Sequence, residues 1–285
     1  MVRAVQRACL AALAALALVG TAGSQEQPPL RGAVLERSFP SKALRDRLSL
    51  EIYLPPGYAR SGARYPVIYF LHGLPASPYA FRSLRAFEAA LDRTGGRAIL
   101  VVPQGARDGD SDPEYLDWGS GRNWETAIGS ELPRYVDGHF RTVADRRGRA
   151  LVGLSAGGYG AVILALHHLD SYSVIESWSG YFHPTNPSGT AALDLGSAAA
   201  NRRASAHSFV SSLRRAFRRR PTFFAFYVGR GDARFRAENR RLHRELAAAR
   251  VPHEFELYRG GHEQMLWKRH AVTWLRLALA HLTRA

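Results

Sequence analysis

The sequence holds one cysteine, Cys9, and two lysines, Lys42 and Lys268. Cys9 lies inside an apolar run near the start, "ACLAALAALALVG". A chain that has shed this run carries no thiol, so disulfides, a thiolate nucleophile and thiolate metal sites are excluded. There is no H-E-x-x-H, because His262-Glu263 is followed by Leu266 where a second histidine would stand. Gly157-Gly158-Tyr159-Gly160 has no Gly-Lys-Ser/Thr after it, so it is no phosphate loop. Metal and nucleotide chemistry therefore have no motif to rest on. Beyond the leader, no run reaches the roughly 20 apolar residues that a bilayer span needs.

Negative charge is also scarce. Thirty-nine basic residues face 24 acidic ones, for a net charge of +15 that is almost all arginine. Such a balance suits an anionic membrane or envelope surface, or reflects only a compositional preference for Arg over Lys. No nucleic-acid recognition motif accompanies the charge, so that class of partner is not expected.

What the sequence does have begins with a leader. "MVRAVQR" is basic, Ala8–Gly20 is apolar, and "TAGSQEQPP" offers small residues for cleavage near Gly23–Ser24. This is the pattern of a secretory signal, which makes 1–24 a signal peptide and the destination secreted or extracytoplasmic. A retained membrane tether is the alternative. The remaining residues, 25–285, read as one domain. With 46% hydrophobic residues the chain can bury a sizeable core, and no linker or internal repeat divides it.

The spacing predicts eight strands. Residues 33–39 and 47–54 alternate apolar and polar. "PVIYFLHG" (67–73), "AILVVPQG" (98–105), "ALVGLS" (150–155), "SVIESWSG" (173–180), "TFFAFYVG" (222–229) and "HEFELYRG" (253–260) follow. Continuous apolar runs of this kind suit strands covered on both faces. Helical periodicity lies between them, as in Phe81, Leu84, Phe87 and Leu91, or Trp267, Ala271, Trp274, Ala278 and Leu282. Alternation of strand and helix in the second half predicts a mostly parallel eight-stranded α/β sheet with helices on both faces. Residues 183–221 form a long insertion, expected to be lid-like. It ends in a basic amphipathic helix with Phe209, Leu213 and Phe217 on one face and Arg214, Arg215, Arg218 and Arg219 around them, expected near the pocket mouth.

The chemistry is concentrated at "RALVGLSAGGYGAVILAL" (149–166). Gly153-Leu154-Ser155-Ala156-Gly157 matches G-x-S-x-G, preceded by a strand and followed by a helical run, as a nucleophile elbow requires. The bland alternative is a glycine-rich turn with an idle serine. A serine nucleophile needs a base. His262, in "YRGGHEQMLW" between the last strand and the last helix, has the right address; His167 and His168 sit in a helix, His281 near the C-terminus, and His72 in "FLHG" suits loop shaping. The base needs an acid to hold its tautomer. Asp232 follows the strand "FYVG" and completes the order Ser…Asp…His of the α/β-hydrolase fold. Glu238 is its rival, although its position better suits the start of a helix, with a surface pair to Arg241. Two backbone N–H groups must receive the oxyanion, and Ala156 and Leu74 are the candidates.

These blocks carry a family resemblance. "SLEIYLPPGYARSGARYPVIYFLHG", "NWETAIGSELPRYVDGHF", "GLSAGGYGAVILAL", "SWSGYFHP" and "GGHEQMLW" resemble the esterase-D-like esterases, and "WETAIGSELP" is also similar to the mycobacterial mycolyltransferase antigens of that superfamily. The resemblance spans roughly residues 45–280. It implies an α/β-hydrolase fold and carboxylic-ester chemistry without a cofactor or metal. It also implies a triad of Ser155, Asp232 and His262 with oxyanion donors Leu74 and Ala156. The related mycolyltransferases use a glutamate as acid, which keeps Glu238 in play. Cytosolic S-formylglutathione hydrolases of the family usually carry a cysteine after the oxyanion loop, and this chain has none there.

Three functions follow. The first is a secreted serine esterase acting on a small-molecule or polymer-linked ester. The second is an acyltransferase passing the same acyl group to a sugar or glycerol hydroxyl. The third is a non-catalytic adhesion module using Arg230-Gly231-Asp232. Composition and motifs leave the acyl group, the alcohol and the oligomeric state open.

Overall fold

The structure is a computed structural model that describes residues 30–75, 77–107, 110, 114–186 and 191–283. The predicted signal peptide and Cys9 lie outside the described residues. The eight predicted strands are all present: β1 (Ala33–Ser41), β2 (Asp46–Leu54), β3 (Val67–Leu71), β4 (Ile99–Pro103), β5 (Arg149–Leu154), β6 (Val174–Trp178), β7 (Phe223–Gly229) and β8 (Glu254–Tyr258). They form one sheet in the order β1-β2-β4-β3-β5-β6-β7-β8. The β1–β2 and β2–β4 pairings are antiparallel, and every pairing from β4 to β8 is parallel.

Burial follows the sequence pattern. Every residue of β3, β4 and β6 is buried, whereas the edge strands β1 and β8 alternate. A strand covered on both faces has no solvent side, so its apolar residues need not alternate.

The helices are α1 (Arg85–Thr94), α2 (Trp124–Thr126), α3 (Leu132–His139), α4 (Ala156–His167), α5 (Ala198–Arg203), α6 (Val210–Arg219), α7 (Arg236–Ala248) and α8 (Gln264–Ala280). α1 and α8 pack on one face, where Phe87, Leu91, Trp274 and Leu275 meet Phe70, Leu100 and Val152. α3, α4, α6 and α7 cover the other, bringing Leu132, Val162, Leu213 and Leu242 against Tyr69, Leu151, Ile175 and Phe226. A π-helical turn, Ala127–Glu131, joins α2 to α3. Pro133 follows it and has no N–H to give back to Gly129 O; the Tyr172 hydroxyl reaches that carbonyl instead, at 3.4 Å.

Residues 183–221 divide in two. α6 is the crossover between β6 and β7, and its Leu213 and Phe217 are buried in the main core. Phe217 meets Phe224, near the start of β7, edge to face. A right-handed crossover must run back from the end of one parallel strand to the beginning of the next. The end of α6 that carries Arg218 and Arg219 therefore lies toward the start of β7, away from the strand ends where Ser155 sits. The expected placement of the basic helix at the pocket mouth is corrected accordingly: its apolar face is spent on the core. Only the earlier part of the segment remains as a candidate cover.

Candidate active site

Ser155 occupies the sharp turn between β5 and α4, with φ 53° and ψ −120°. A non-glycine residue held there costs on the order of 1–3 kcal/mol, which the surroundings must supply. They do so through fixed bonds. Ser155 N donates to Trp178 O at 2.9 Å, and Gly158 N and Tyr159 N both donate to Ser155 O, at 2.9 and 3.1 Å. The flanking glycines allow the turn to close. A Cβ on Gly153 would lie 2.1 Å from Gly157 O, and one on Gly157 would lie 2.1 Å from Leu71 O. Backbone cannot yield there as a side chain could, so alanine at either position displaces the turn.

Two further segments converge on the serine. His262, in the loop between β8 and α8, places Nε2 2.9 Å from Ser155 Oγ. Its Nδ1 faces Asp232 Oδ2, also at 2.9 Å. Asp232 is fully buried in the turn after β7. Its other oxygen, Oδ1, accepts from Arg234 N and Phe235 N, each at 3.0 Å. One oxygen is thus held by the backbone while the other holds the imidazole. Phe235 and Trp267 stand edge-on to the His262 ring, with centroids 5.1 and 5.2 Å away. They fix the plane of the ring.

The loop after β3 passes close to the nucleophile. A Cβ on Gly73 would come within 2.9 Å of Ser155 Cβ. Leu74, the next residue, packs into the cluster that contains Ala156 and Tyr159. Its bond to Pro75 is cis. The two expected oxyanion donors therefore belong to neighbouring segments, one at the start of α4 and one beside it. His72 is buried, and burial holds its imidazole below the ordinary value. Its carbonyl accepts from the Tyr115 hydroxyl at 2.6 Å. It shapes the loop, as its sequence position suggested.

The sequence profile of the family described as "Putative esterase" matches residues 41–275. The chain belongs to this esterase family. Among curated relatives, an esterase of Mycobacterium tuberculosis (strain ATCC 25618 / H37Rv), Esterase Rv1288, is 33% identical over 143 residues, which is 50% of this chain and 31% of the relative. The chain thus matches under a third of that protein's length. The MPT51 antigen of Mycobacterium leprae is 30% identical over 208 residues, covering 66% of this chain and 59% of the antigen. Among solved structures, a ferulic acid esterase superposes with a TM-score of 0.72 at 21% identity, covering 89% of this chain and all of the other. The fold is the α/β-hydrolase fold.

Within the esterase family's "WETAIGSELP" block the two carboxylates are structural. Glu125 accepts from His167 Nδ1 at 2.9 Å and from Arg203 Nη2 at 2.6 Å. Burial works against its charge, but these partners win and hold it at about 2. Glu131 accepts from Ser41 Oγ at 2.5 Å and Ala43 N at 3.1 Å. His167 is accounted for in this way, and His168 Nε2 stands 3.7 Å from the same carboxylate.

Glu238 is not the exposed helix charge that the sequence suggested. It accepts from Phe182 N at 2.8 Å and from His183 Nδ1 at 2.6 Å. Arg241 pairs with Glu245 instead, at 2.8 Å. The reason is the loop after β6, which folds back over the start of α7 and buries the carboxylate. Nor does Arg230-Gly231-Asp232 present its carboxylate to a partner, since Asp232 is inaccessible and engaged by His262. Sequence reasoning also missed the pair Phe235 and Trp267. Their only signal was an aromatic three residues past Asp232 and another five past His262.

No described helix is long and apolar enough to cross a membrane. Two cavities, of about 490 and 350 Å³, lie beside His183 rather than over Ser155.

Proposed function

We propose that this chain is a serine carboxylic-ester hydrolase with Ser155 as nucleophile, His262 as general base and Asp232 as the acid that orients it. The observation that carries the reading is the unbroken line from Ser155 Oγ through both nitrogens of His262 to Asp232, with 2.9 Å at each step. Membership of the esterase family supports the bond type. Ser155 Oγ adds to the ester carbonyl carbon while its proton passes to His262 Nε2. Asp232 stabilises the imidazolium so formed. The negative oxygen of the adduct points at Ala156 N–H, at the open start of α4, and at Leu74 N–H. The adduct collapses, the C–O bond to the alcohol breaks, and His262 returns the proton to the departing oxygen. Water then attacks the acyl-enzyme by the same sequence and frees Ser155. The leader-like Ala8–Gly20 run supports an extracytoplasmic setting.

A fluorophosphonate probe tests the assignment. It should label wild type once, on Ser155, and fail to label Ser155→Ala or heat-unfolded protein. Labelling of folded Ser155→Ala would refute it. Nitrophenyl esters of two to sixteen carbons, run with and without a polyol, then separate hydrolysis from acyl transfer: an acceptor that captures most of the acyl group would favour the transferase.

A further inference from the structure

A second cluster of ionisable groups lies on the same helix start as Asp232 but touches neither Ser155 nor His262. It is built from His183 after β6, His207 in the 3-10 turn Ala206–Phe209, and Glu238 in the first turn of α7. One ligand-capable atom from each lies within 4.8 Å of the others. We propose that His183, His207 and Glu238 bind a zinc-class divalent cation that clamps the loop after β6 to α7.

The donor set suits that ion. Two imidazoles and a carboxylate with a fourth position open are a borderline-soft, tetrahedral arrangement. His207 is presented for the purpose. Its Nδ1 is taken by Glu245 Oε2 at 2.5 Å, and Glu245 is itself held by Arg241 Nε at 2.8 Å. A carboxylate on one ring nitrogen fixes the other as the ligating lone pair. That other nitrogen, Nε2, is buried without a hydrogen-bond partner and lies 3.5 Å from Glu238 Oε1. Ligands about 2.0–2.1 Å from a tetrahedral ion are separated by roughly 3.4 Å, so this edge is already the right length. The His183–Glu238 edge is shorter, at 2.6 Å. His183 must withdraw by less than 1 Å, roughly, to reach the same tetrahedral spacing, and its side chain is 34% exposed and free to do so. Two of the three groups, His183 and His207, also line a cavity of about 490 Å³ together with Ser205 and Ser208.

Charge is consistent with a cation. Burial disfavours ionised Glu238, but His183 and His207 outweigh it, so the carboxylate is held at about 2 and is ready to ligate. Burial also disfavours protonated His207, yet Glu238 and Glu245 raise it above the ordinary imidazole value. A metal must therefore displace a proton, and affinity should fall as the solution is acidified. The clamp adjoins the catalytic wall. Phe182 N donates to Glu238, and the preceding Tyr181 packs on Phe235, which stands against His262.

The test uses full-length protein stripped with a chelator, then titrated with Zn²⁺ by calorimetry and thermal unfolding, and with Co²⁺ by visible absorption. One saturable site per chain, a raised Tm and a tetrahedral Co²⁺ spectrum are expected in wild type and in Ser155→Ala. His183→Ala, a change at a partly exposed side chain, should abolish all three, as should Glu238→Gln. Glu245→Gln should weaken binding about 10–100-fold, the usual effect of losing the group that orients a ligating imidazole. His253→Ala is the control for the other close imidazole pair, His243 Nδ1 to His253 Nε2 at 2.9 Å. Absence of saturable binding in wild type, or binding that survives His183→Ala and is lost in His253→Ala, would overturn the proposal.

Discussion

Two histidine–carboxylate groups sit at the start of α7, and they are wired differently. At Asp232 the groups form a line. One carboxylate oxygen holds one nitrogen of His262, and the other nitrogen reaches a hydroxyl. At Glu238 the groups converge. A single oxygen meets His183 and Phe182 N with His207 close by, and among the described residues neither imidazole hydrogen-bonds a hydroxyl. The residue types are nearly the same. A line can pass a proton between a serine and an imidazole, whereas a convergent set can only share charge or surround an ion. Connectivity, not composition, separates a candidate catalytic relay from a candidate binding cluster.

The largest expected effect breaks the line at its nucleophile. Ser155→Ala should lose on the order of 10⁶ in kcat, the scale known for loss of a triad serine, with the Tm unchanged within a few degrees. Residual turnover near wild type in folded protein would remove Ser155 from the reaction. The next effect sets the two acids against each other. Asp232→Asn keeps the shape but favours the wrong imidazole tautomer, and should cost on the order of 10⁴ in kcat. Glu238→Gln should cost less than about tenfold, because Glu238 contacts neither His262 nor Ser155. The opposite ranking, measured on a soluble nitrophenyl ester, would make Glu238 the acid.

Stability against pH sharpens the contrast. Glu238 has its pKa lowered from 4.5, so its contribution is complete above 4.5 and is lost as pH falls toward about 2. His207 has its pKa raised from 6.5, so its contribution is complete below 6.5 and is lost as pH rises through the folded value. The Tm difference between wild type and Glu238→Gln should therefore peak between pH 4.5 and 6.5. A difference that is flat with pH would mean that the carboxylate acts only as a hydrogen-bond acceptor. Glu176 supplies the opposite case. It is fully buried on β6, among the described residues has no imidazole or guanidinium partner but only Trp178 Nε1 at 3.0 Å, and burial pushes it up to about 8. Raised folded values favour the neutral acid, so wild type should lose stability as pH climbs from 4.5 through 8. The loss is on the order of a few kcal/mol, at ~1.4 kcal/mol per pKa unit. Glu176→Gln should flatten that slope in urea titrations. The smallest effect belongs to the basic helix. Replacing Arg214, Arg215, Arg218 and Arg219 by glutamine should leave kcat/KM for a neutral ester unchanged within about twofold, since exposed charges distant from the reaction contribute little. A larger change would bring α6 back to the substrate path.

The eight strands, the turn at Ser155 and the positions of His262 and Asp232 were legible in the order of the residues. Each is announced by local chemistry. Continuous apolar runs mark doubly covered strands, glycines two residues to either side mark a turn no Cβ could enter, and polar residues just past strand ends mark the rim of a parallel sheet. Tertiary structure alone decided the strand order, the fate of α6 and the wiring of Glu238. Local periodicity gave Leu213 and Phe217 a face, but the sheet beneath that face comes from strands elsewhere in the chain. Glu238 looked like an ordinary first-turn carboxylate, because the residues that bury it, Phe182, His183 and His207, lie from 31 to 56 positions away. No periodicity or short motif spans such a gap. Only the packing of the loop after β6 onto α7 brings those groups within reach of one oxygen.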